Sequence, residues 1–362
     1  MGPRRILALV ADAFGSEGGI ATYDRNLIAS LASCRDVAEV VVVPRRGKST
    51  IKLPPRVHQL RSVGGRAAYS LAALWAARSH RTIDIVFCGH LYMAPAAAAV
   101  AKIVGAHLWI QIHGLEAWHA LSSPYRTSIE AATLITAVSR DTRRRLLEWV
   151  AIDPGRVKVL PNTLDPRFQP GAKSRELLDR YNLHNKKVLM TVSRLSAKER
   201  YKGHDRVLRA LPRVLSQHPE VMYLIVGDGD DRKRLERLAT EHGVDDKVCF
   251  VGQVDDQRIV DYFRLADVFV MPSTAEGFGI VFIEAMASGA TVIGGNKDGS
   301  LDALCDGLLG KAIDPESDED LLEALNSALA FPSGYDNQVQ RFSREMFADH
   351  VVELLSQVFP LH

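Results

Sequence analysis

The sequence predicts an α/β chain of two domains, each built on a parallel sheet covered by helices on both faces. Three observations predict it. Short apolar runs alternate with helix-length amphipathic segments along the whole chain, the pattern of strands joined by crossover helices. The length of 362 residues fits two domains of ordinary size, and a hydrophobic content of 47% supplies two cores. Pro161, Pro166 and Pro170 interrupt the alternation near its middle and mark a linker from Pro161 to about Lys187.

Taken in order, the first half predicts strands at Ile6–Ala11, Val37–Val43, Ile83–Cys88, His107–Ile112, Leu134–Ala137 and Lys158–Leu160. Each is rich in Val, Ile and Leu, as strands buried on both faces must be. Helices are expected at Ile20–Leu31, Ala67–Ser79, Ala94–Val104 and Ser139–Trp149. The second half repeats the scheme, with strands at Val188–Val192, Met222–Val226, Val248–Phe250, Val268–Met271 and Thr291–Ile293. Its helices are His204–His218, Asp231–His242, Gln257–Leu265 and Ile280–Ser288, and an amphipathic helix near Arg341–Phe359 closes the chain. No internal repeat or low-complexity segment is present.

No apolar run reaches the length that spans a bilayer. The opening Met-Gly-Pro-Arg-Arg-Ile-Leu-Ala-Leu-Val is signal-like in flavour, but Asp12 and Glu17 follow at once and a first strand fits better. Cys34, Cys88, Cys249 and Cys305 lack metal-ligand spacing and suit a reducing cytosol. The net charge of +2 hides an asymmetry: residues 1–160 carry 21 Lys/Arg against 11 Asp/Glu, the remainder 24 against 32. From Pro44 to Thr82 there are nine basic residues and no acidic one, and Tyr69-Ser-Leu-Ala-Ala-Leu-Trp75 falls among them. Arg61, Arg66, Trp75, Arg78 and Arg81 are therefore candidates for contact with an anionic membrane surface or acceptor; the bland alternative is a core helix with a solvated edge. No nucleic-acid motif accompanies the basic segment, so nucleic acid is not expected as a partner.

The most informative motif is Glu276-Gly-Phe-Gly-Ile-Val-Phe-Ile-Glu284, placed after an apolar strand and before a helix. Glu276 sits in the loop and Glu284 within the helix. Gly277, Phe278 and Gly279 bring backbone close to a ligand, and the helix N-terminus suits an anion. Two acceptor carboxylates flanking an anion site match a ligand with hydroxyls at both ends and phosphate between. Arg194 and Lys202-Gly203 follow the strand Val188–Val192, where open α/β sheets bind ligands and cations suit a diphosphate. Tyr223-Leu-Ile-Val-Gly-Asp-Gly229 is a further strand entering a glycine turn. Asp228-Gly-Asp230 has the letters of a metal motif but lies in that turn. Gly18-Gly19 follows the first strand, with none of the spacing of a dinucleotide fingerprint, which argues against a dehydrogenase. His113 ends a strand; alone, such a histidine is more often structural.

In order along the chain, Gly18-Gly19, His113-Gly114, Arg194, Lys202-Gly203, Val226-Gly-Asp-Gly229 and Glu276–Glu284 resemble the retaining glycosyltransferases of family 4. That resemblance implies the GT-B fold, with two Rossmann-like domains whose sheets face a central cleft. It implies an acceptor-binding domain over residues 1–165, a donor-binding domain over 166–340, and a final helix, about 341–362, returning to the first domain. It also implies roles: Arg194 and Lys202 neutralise the diphosphate, Glu276 holds donor sugar hydroxyls, Glu284 the ribose, and His113 touches the transferred sugar. Gly18, Gly19, Gly277, Phe278 and Gly279 line the donor. No metal and no cofactor are expected. Gly294-Gly-Asn-Lys-Asp-Gly-Ser-Leu-Asp302 departs from the family's commoner Gly-Gly turn followed by Pro-Glu. With Gly89-His-Leu and Ile112-His-Gly-Leu-Glu-Ala-Trp118, it resembles the GDP-mannose-dependent mannosyltransferases of xanthan- and acetan-type exopolysaccharide assembly. The implied partners are a nucleotide-sugar, a polyprenyl-diphosphate-linked saccharide and the inner face of the cytoplasmic membrane. A UDP-sugar donor, a phospholipid or lipopolysaccharide acceptor, and a binding protein without transfer activity are the competing expectations.

Overall fold

The computed structural model describes residues 3–15, 18–47, 51–80, 82–334 and 336–359. The chain divides into two units, Met1–Thr163 with Arg344–His362, and Leu164–Ser343.

The first unit runs β1 (Arg4–Val10), α1 (Gly19–Ser33), β2 (Val37–Pro44), β3 (Val57–Gln59), α2 (Arg66–Ser79), β4 (Ile85–Cys88), α3 (Ala94–Val104), β5 (His107–Ile112), α4 (Ser123–Ala131), β6 (Leu134–Ala137), α5 (Arg140–Leu147) and β7 (Val157–Val159). Its seven strands, all parallel, lie in the order β3-β2-β1-β4-β5-β6-β7. The second unit contains α6 (Arg175–Arg180), β8 (Lys187–Val192), α7 (His204–Gln217), β9 (Val221–Val226), α8 (Arg232–Glu241), β10 (Val248–Gly252), α9 (Ile259–Phe263), β11 (Val268–Met271), α10 (Ile280–Ala287), β12 (Thr291–Gly295), α11 (Ser300–Ala303), β13 (Lys311–Ile313) and α12 (Asp318–Ala330). Six parallel strands lie in the order β10-β9-β8-β11-β12-β13. The last helix, α13 (Arg344–Val358), belongs to the first unit and packs on α1.

The strands and crossover helices legible in the sequence fall within two residues of their expected limits. The differences are short or polar elements. β3 is a three-residue edge strand paired only with Val40–Val42, too short to carry a period. The first turns of α4, Ser-Pro-Tyr-Arg-Thr-Ser, hold no apolar repeat. The expected linker Pro161–Lys187 is corrected: it contains the helix α6, fixed by the fully buried Leu177. α11, β13 and α12 were not among the expected elements either, although α12 carries local signals: Ser317 accepts the amide of Asp320 at 3.1 Å, three acidic residues fill the first turn, and Leu321, Leu322, Leu325 and Leu329 form its buried face.

The first unit is closed by its last helix. Phe347 of α13 meets the ring of Tyr23 on α1 edge-on, 5.5 Å between centroids. The Tyr23 hydroxyl lies 3.0 Å from both Gln111 Oε1 and the Leu160 carbonyl. The Arg4 guanidinium donates to the carbonyl of Phe359, whose ring lies 6.2 Å from that of Trp109. Phe347→Ala removes a side chain that is 4% exposed and should lower unfolding free energy by about 3 kcal/mol or more. Chemical denaturation followed by circular dichroism measures this; a loss under about 1 kcal/mol, the size of an exposed-site change, would contradict the closing role of α13.

Candidate active site

Strand order reverses once in each sheet, between β1 and β4 in the first unit and between β8 and β11 in the second. Loops leaving the C-terminal ends of such strands depart to opposite faces, so a crevice opens where ligands of α/β folds bind. In the second unit, Arg194 follows β8 and Glu276 follows β11, so both candidates stand at the reversal.

The side chains there form a connected chain of charge. Lys202 Nζ donates to Glu276 Oε1 at 2.6 Å, and each side chain is 14% exposed. Lys202 also lies 3.8 Å from Glu199, which accepts from the Arg194 guanidinium. Arg194 itself is largely exposed, so the cations run from solvent inward. Glu199 was not picked out by the sequence reading, because an acidic residue in a basic loop looks like solvated polarity. Arg200, about half exposed, pairs with the buried Asp231 at 2.9 Å.

The loop carrying Glu276 is held from a distant segment. Asp298 Oδ2 accepts from the Glu276 amide at 2.6 Å and the Ser273 hydroxyl at 2.9 Å, and Asp298 Oδ1 accepts from the Ser300 amide at 2.9 Å. Burial pushes the Asp298 carboxyl up to about 6, while the Glu276 amide and Ser300 pull it down. Gly299 donates back to the Glu276 carbonyl at 2.9 Å. The unusual 294–302 loop is thus the support of the Glu276 loop, a role that its sequence alone does not disclose.

Gly279 caps α10 with φ of +81°, and a Cβ there would meet the Phe282 ring at 2.5 Å. Gly277 is partly exposed in the same loop. The Phe278 side chain is 1% exposed and packs against Phe342 at 5.5 Å, so its ring anchors the loop and only its backbone is left for a ligand. Glu284 lies in α10 with partial access to solvent. Burial raises its carboxyl to about 8; Asp256 and Asp165 raise it further and Arg167 opposes them. The Val-Gly-Asp-Gly turn packs on the Arg194 loop. A Cβ on Gly227 would meet the Ser193 carbonyl at 1.8 Å, the Asp228 carbonyl accepts from the Leu195 amide at 2.9 Å, and Asp230 accepts from the Ala197 amide at 2.8 Å.

In the first unit, Gly18 and Gly19 stand exposed at the start of α1, after β1, and Gly18 has φ of +139°. His113 follows β5, the neighbour of β4. Its Nε2 lies 2.8 Å from the Gly89 carbonyl and so carries the proton, leaving Nδ1 as an acceptor. Burial lowers its pKa to about 4, Glu116 opposes and His90 adds to the fall. His113 is therefore a neutral imidazole at ordinary pH, suited to accept from a hydroxyl. Tyr23 meets it edge-on at 5.1 Å. Glu116 accepts the His113 amide at 2.5 Å, and the His90 ring lies 6.0 Å away; neither was singled out from sequence.

The basic segment separates from these groups. Arg61, Arg66 and Arg78 are exposed, and Leu71 and Trp75, one turn apart on α2, are 68% and 62% exposed. Arg81 lies outside the described residues. Among the described residues no helix is long and apolar enough to cross a membrane.

Comparison with known proteins agrees with this layout. The family model described as Glycosyltransferase Family 4 matches residues 17–168, and that of Glycosyl transferases group 1 matches residues 174–346. The chain is 29% identical to a GDP-mannose-dependent alpha-(1-6)-phosphatidylinositol monomannoside mannosyltransferase of Mycobacterium tuberculosis, over 90% of this chain and 89% of that one. It is 30% identical to the protein of the same name from Mycolicibacterium smegmatis, over 61% of this chain and 60% of that one. Among solved structures, Anabaena HepE in complex with UDP and glucose has a TM-score of 0.76 at 22% identity, covering 98% of this chain and 99% of that one. The lipopolysaccharide outer core galactosyltransferase WaaB has a TM-score of 0.71 at 19% identity, covering 95% and 97%. Both likenesses establish the GT-B fold.

The raised carboxyl of Glu284 has a sign that can be measured. Its folded pKa of about 8 exceeds the ordinary 4.5, so stability present at low pH is lost as pH rises from about 4.5 through 8. Glu284→Gln, which cannot ionise, should melt progressively above the wild type as pH rises across that window, on the order of 1.4 kcal/mol per unit of pKa difference at most. Thermal melts from pH 5 to 9 test it; a gap that does not grow with pH overturns the burial of this carboxyl.

Proposed function

The chain belongs to the glycosyltransferases of group 1 and family 4, and from that premise we propose that it transfers mannose from GDP-mannose, with retention, to a lipid-linked acceptor that carries phosphate. The observation that carries the reading is the Arg194–Glu199–Lys202–Glu276 chain at the strand reversal of the second unit. Relatives along most of the chain are named for GDP-mannose and for a phosphatidylinositol mannoside, which favours a phosphatidylinositol-type acceptor. The polyprenyl-diphosphate-linked saccharide of exopolysaccharide assembly is the second reading, favoured by the 294–302 loop.

In this mechanism the bond from the sugar's anomeric carbon to the diphosphate breaks, and a bond to an acceptor hydroxyl forms on the same face. The hydroxyl proton passes to an oxygen of the departing diphosphate. Arg194 and Lys202 offset the charge that grows on that group, and preorganised cations act most strongly as it develops. They stand in for the divalent metal that other transferases use. Glu276, fixed by Lys202 and by Asp298 through its amide, receives sugar hydroxyls. Glu284 receives the ribose. His113, neutral and with Nδ1 available, accepts from a sugar hydroxyl.

Transfer of labelled mannose from GDP-mannose to phosphatidylinositol mannoside in vesicles, with UDP- and ADP-sugars as controls and a chelator present, tests the activity. Glu276→Ala strips Lys202 of its 2.6 Å partner, so Glu276→Gln, which keeps the shape, is the cleaner variant. We expect it, and Lys202→Gln, to lower the rate about 10²-fold or more with melting behaviour retained. Full activity in either would remove these residues from the site, and activity only with a UDP-sugar would discard mannose.

The acid-free basic stretch of residues 44–82 and the exposed Leu71 and Trp75 support docking on the anionic inner face of the cytoplasmic membrane. Leu71→Ser with Trp75→Ser should weaken co-sedimentation with phosphatidylglycerol vesicles severalfold. Unchanged binding would make that face ordinary solvated surface.

A further inference from the structure

The Arg194 loop and the Glu276 loop of the second unit meet at the first turn of α7, whose side chains have no part in the roles above. α7 begins at His204, directly after Lys202-Gly203. Gly203 has φ of +82°, and a Cβ there would meet the Pro272 carbonyl at 2.6 Å, so the end of the Arg194 loop lies against the start of the Glu276 loop. Two hydrogen bonds hold that contact. The Thr274 amide donates to the Tyr201 carbonyl at 3.0 Å, and the Arg206 guanidinium, from the first turn of α7, donates to the Pro272 carbonyl at 3.0 Å. The Lys202 end of the loop is thereby tied to Glu276.

The Arg194 end is held differently. The Arg194 side chain is 80% exposed, so packing does not aim it. The residues on either side of it are fixed by their amides, Ser193 to the Val226 carbonyl at 3.0 Å and Leu195 to the Asp228 carbonyl at 2.9 Å. Between them the Arg194 carbonyl accepts from the Ser193 hydroxyl at 3.2 Å, and that hydroxyl lies 2.9 Å from His204 Nε2. A serine hydroxyl has one proton to give. With that proton on the Arg194 carbonyl, His204 Nε2 carries its own hydrogen and donates to Ser193. His204 is 5% exposed. Burial lowers its pKa to about 4, with Lys202 and Arg234 adding to the fall and Asp205 and Asp231 opposing it. It is a neutral donor at ordinary pH and brings no charge of its own beside Lys202. The relay runs from the core, through His204 and Ser193, to the backbone beneath Arg194.

We propose that His204 is a positioning residue for the diphosphate: through the Ser193 hydroxyl it sets the backbone beneath Arg194 and holds that guanidinium in register with Lys202 and Glu276. The inference rests on the transferase reading and adds to it a buried residue that touches no substrate. Its physical content is preorganisation. An exposed arginine loses rotamer freedom when it grips an anion. A backbone already fixed confines that loss to the side chain and keeps the cation in place as charge grows on the leaving group. The effect falls on the terminal phosphate of the nucleotide and spares the nucleoside, which a general loosening of α7 would not do.

The test titrates the intact chain with GDP, GMP, UDP and UMP by calorimetry and follows mannose transfer to phosphatidylinositol mannoside vesicles. His204→Met keeps the bulk and removes the donor, and His204→Gln offers an Nε2 donor in its place. Ser193→Ala deletes the relay oxygen alone, and Arg209→Gln, on the exposed face of the same helix, is the control. We expect His204→Met and Ser193→Ala each to weaken diphosphate binding about tenfold while monophosphate binding holds within about twofold. Their kcat should fall about tenfold or more. The double variant should lose no more than either single one, because both cut one relay. His204→Gln should recover most of the binding and rate, and Arg209→Gln should keep both. Equal losses for diphosphate and monophosphate, additive losses in the double variant, or His204→Gln as impaired as His204→Met overturns the proposal. If His204→Met does not fold, Ser193→Ala decides, and undiminished diphosphate binding in it is the overturning result. Failure of the transferase reading shows separately, as a wild type that binds a diphosphate and transfers no sugar; the diphosphate-to-monophosphate ratio then still decides the role of His204. A wild type that binds neither GDP nor UDP overturns both.

Discussion

Among the described residues all thirteen strands pair in parallel, and the rest of the structure follows from that constraint. A parallel strand cannot return by a hairpin, so every connection crosses over through a helix or long loop and both sheet faces become buried. The strands are accordingly continuous apolar runs, and the polar chemistry is driven to the loops at their ends. The order β3-β2-β1-β4 and the order β9-β8-β11-β12 each reverse once. There the flanking loops part, leaving room for Arg194 and Glu276 in one unit and for Gly18, Gly19 and the segment around Gly89 in the other.

Electrostatics then decides which of the crevice groups are charged. Lys202 and Glu276 are each 14% exposed, a degree of burial at which a lone charge is costly and a paired one tolerable. Among the described residues, Glu284 and Asp298 have no cation at hydrogen-bond distance, and they rise to about 8 and about 6 through burial. In the first unit, Asp24 is fully buried, and neither carboxyl oxygen has a hydrogen-bond partner among the described residues; burial and then Asp12 raise it well above the usual range. Desolvation pushes these acids toward the neutral form, Glu284 further than Asp298, whereas Lys202 and Glu276 face each other as an ion pair at 2.6 Å. A diphosphate entering beside that pair would meet cations already in place.

The position of His113 depends on residues far away in sequence. Tyr23 from α1 presses on its ring, Phe347 from α13 presses on Tyr23, and the Gly89 carbonyl after β4 fixes its tautomer. The first unit is incomplete until the last helix has returned to it. The Glu276 loop has a similar dependence on Asp298 and Gly299.

The sequence by itself determined the α/β class, most strands and crossover helices, and the loops on which Arg194, Lys202, Glu276 and His113 would lie. Those features are local: a strand buried on both faces, a helix period and a glycine turn are each written in consecutive residues. It did not disclose β3, α4, α6, α11, β13 or α12; β3 gains its conformation from pairing and α6 from one buried leucine. Nor did it distinguish Phe278, which packs into the core, from its neighbours Gly277 and Gly279. Glu199, Asp298 and the contact of His204 with Ser193 were decided by tertiary structure alone. Each depends on side chains from separate segments arriving within a few ångströms, and no local period records which segments will meet.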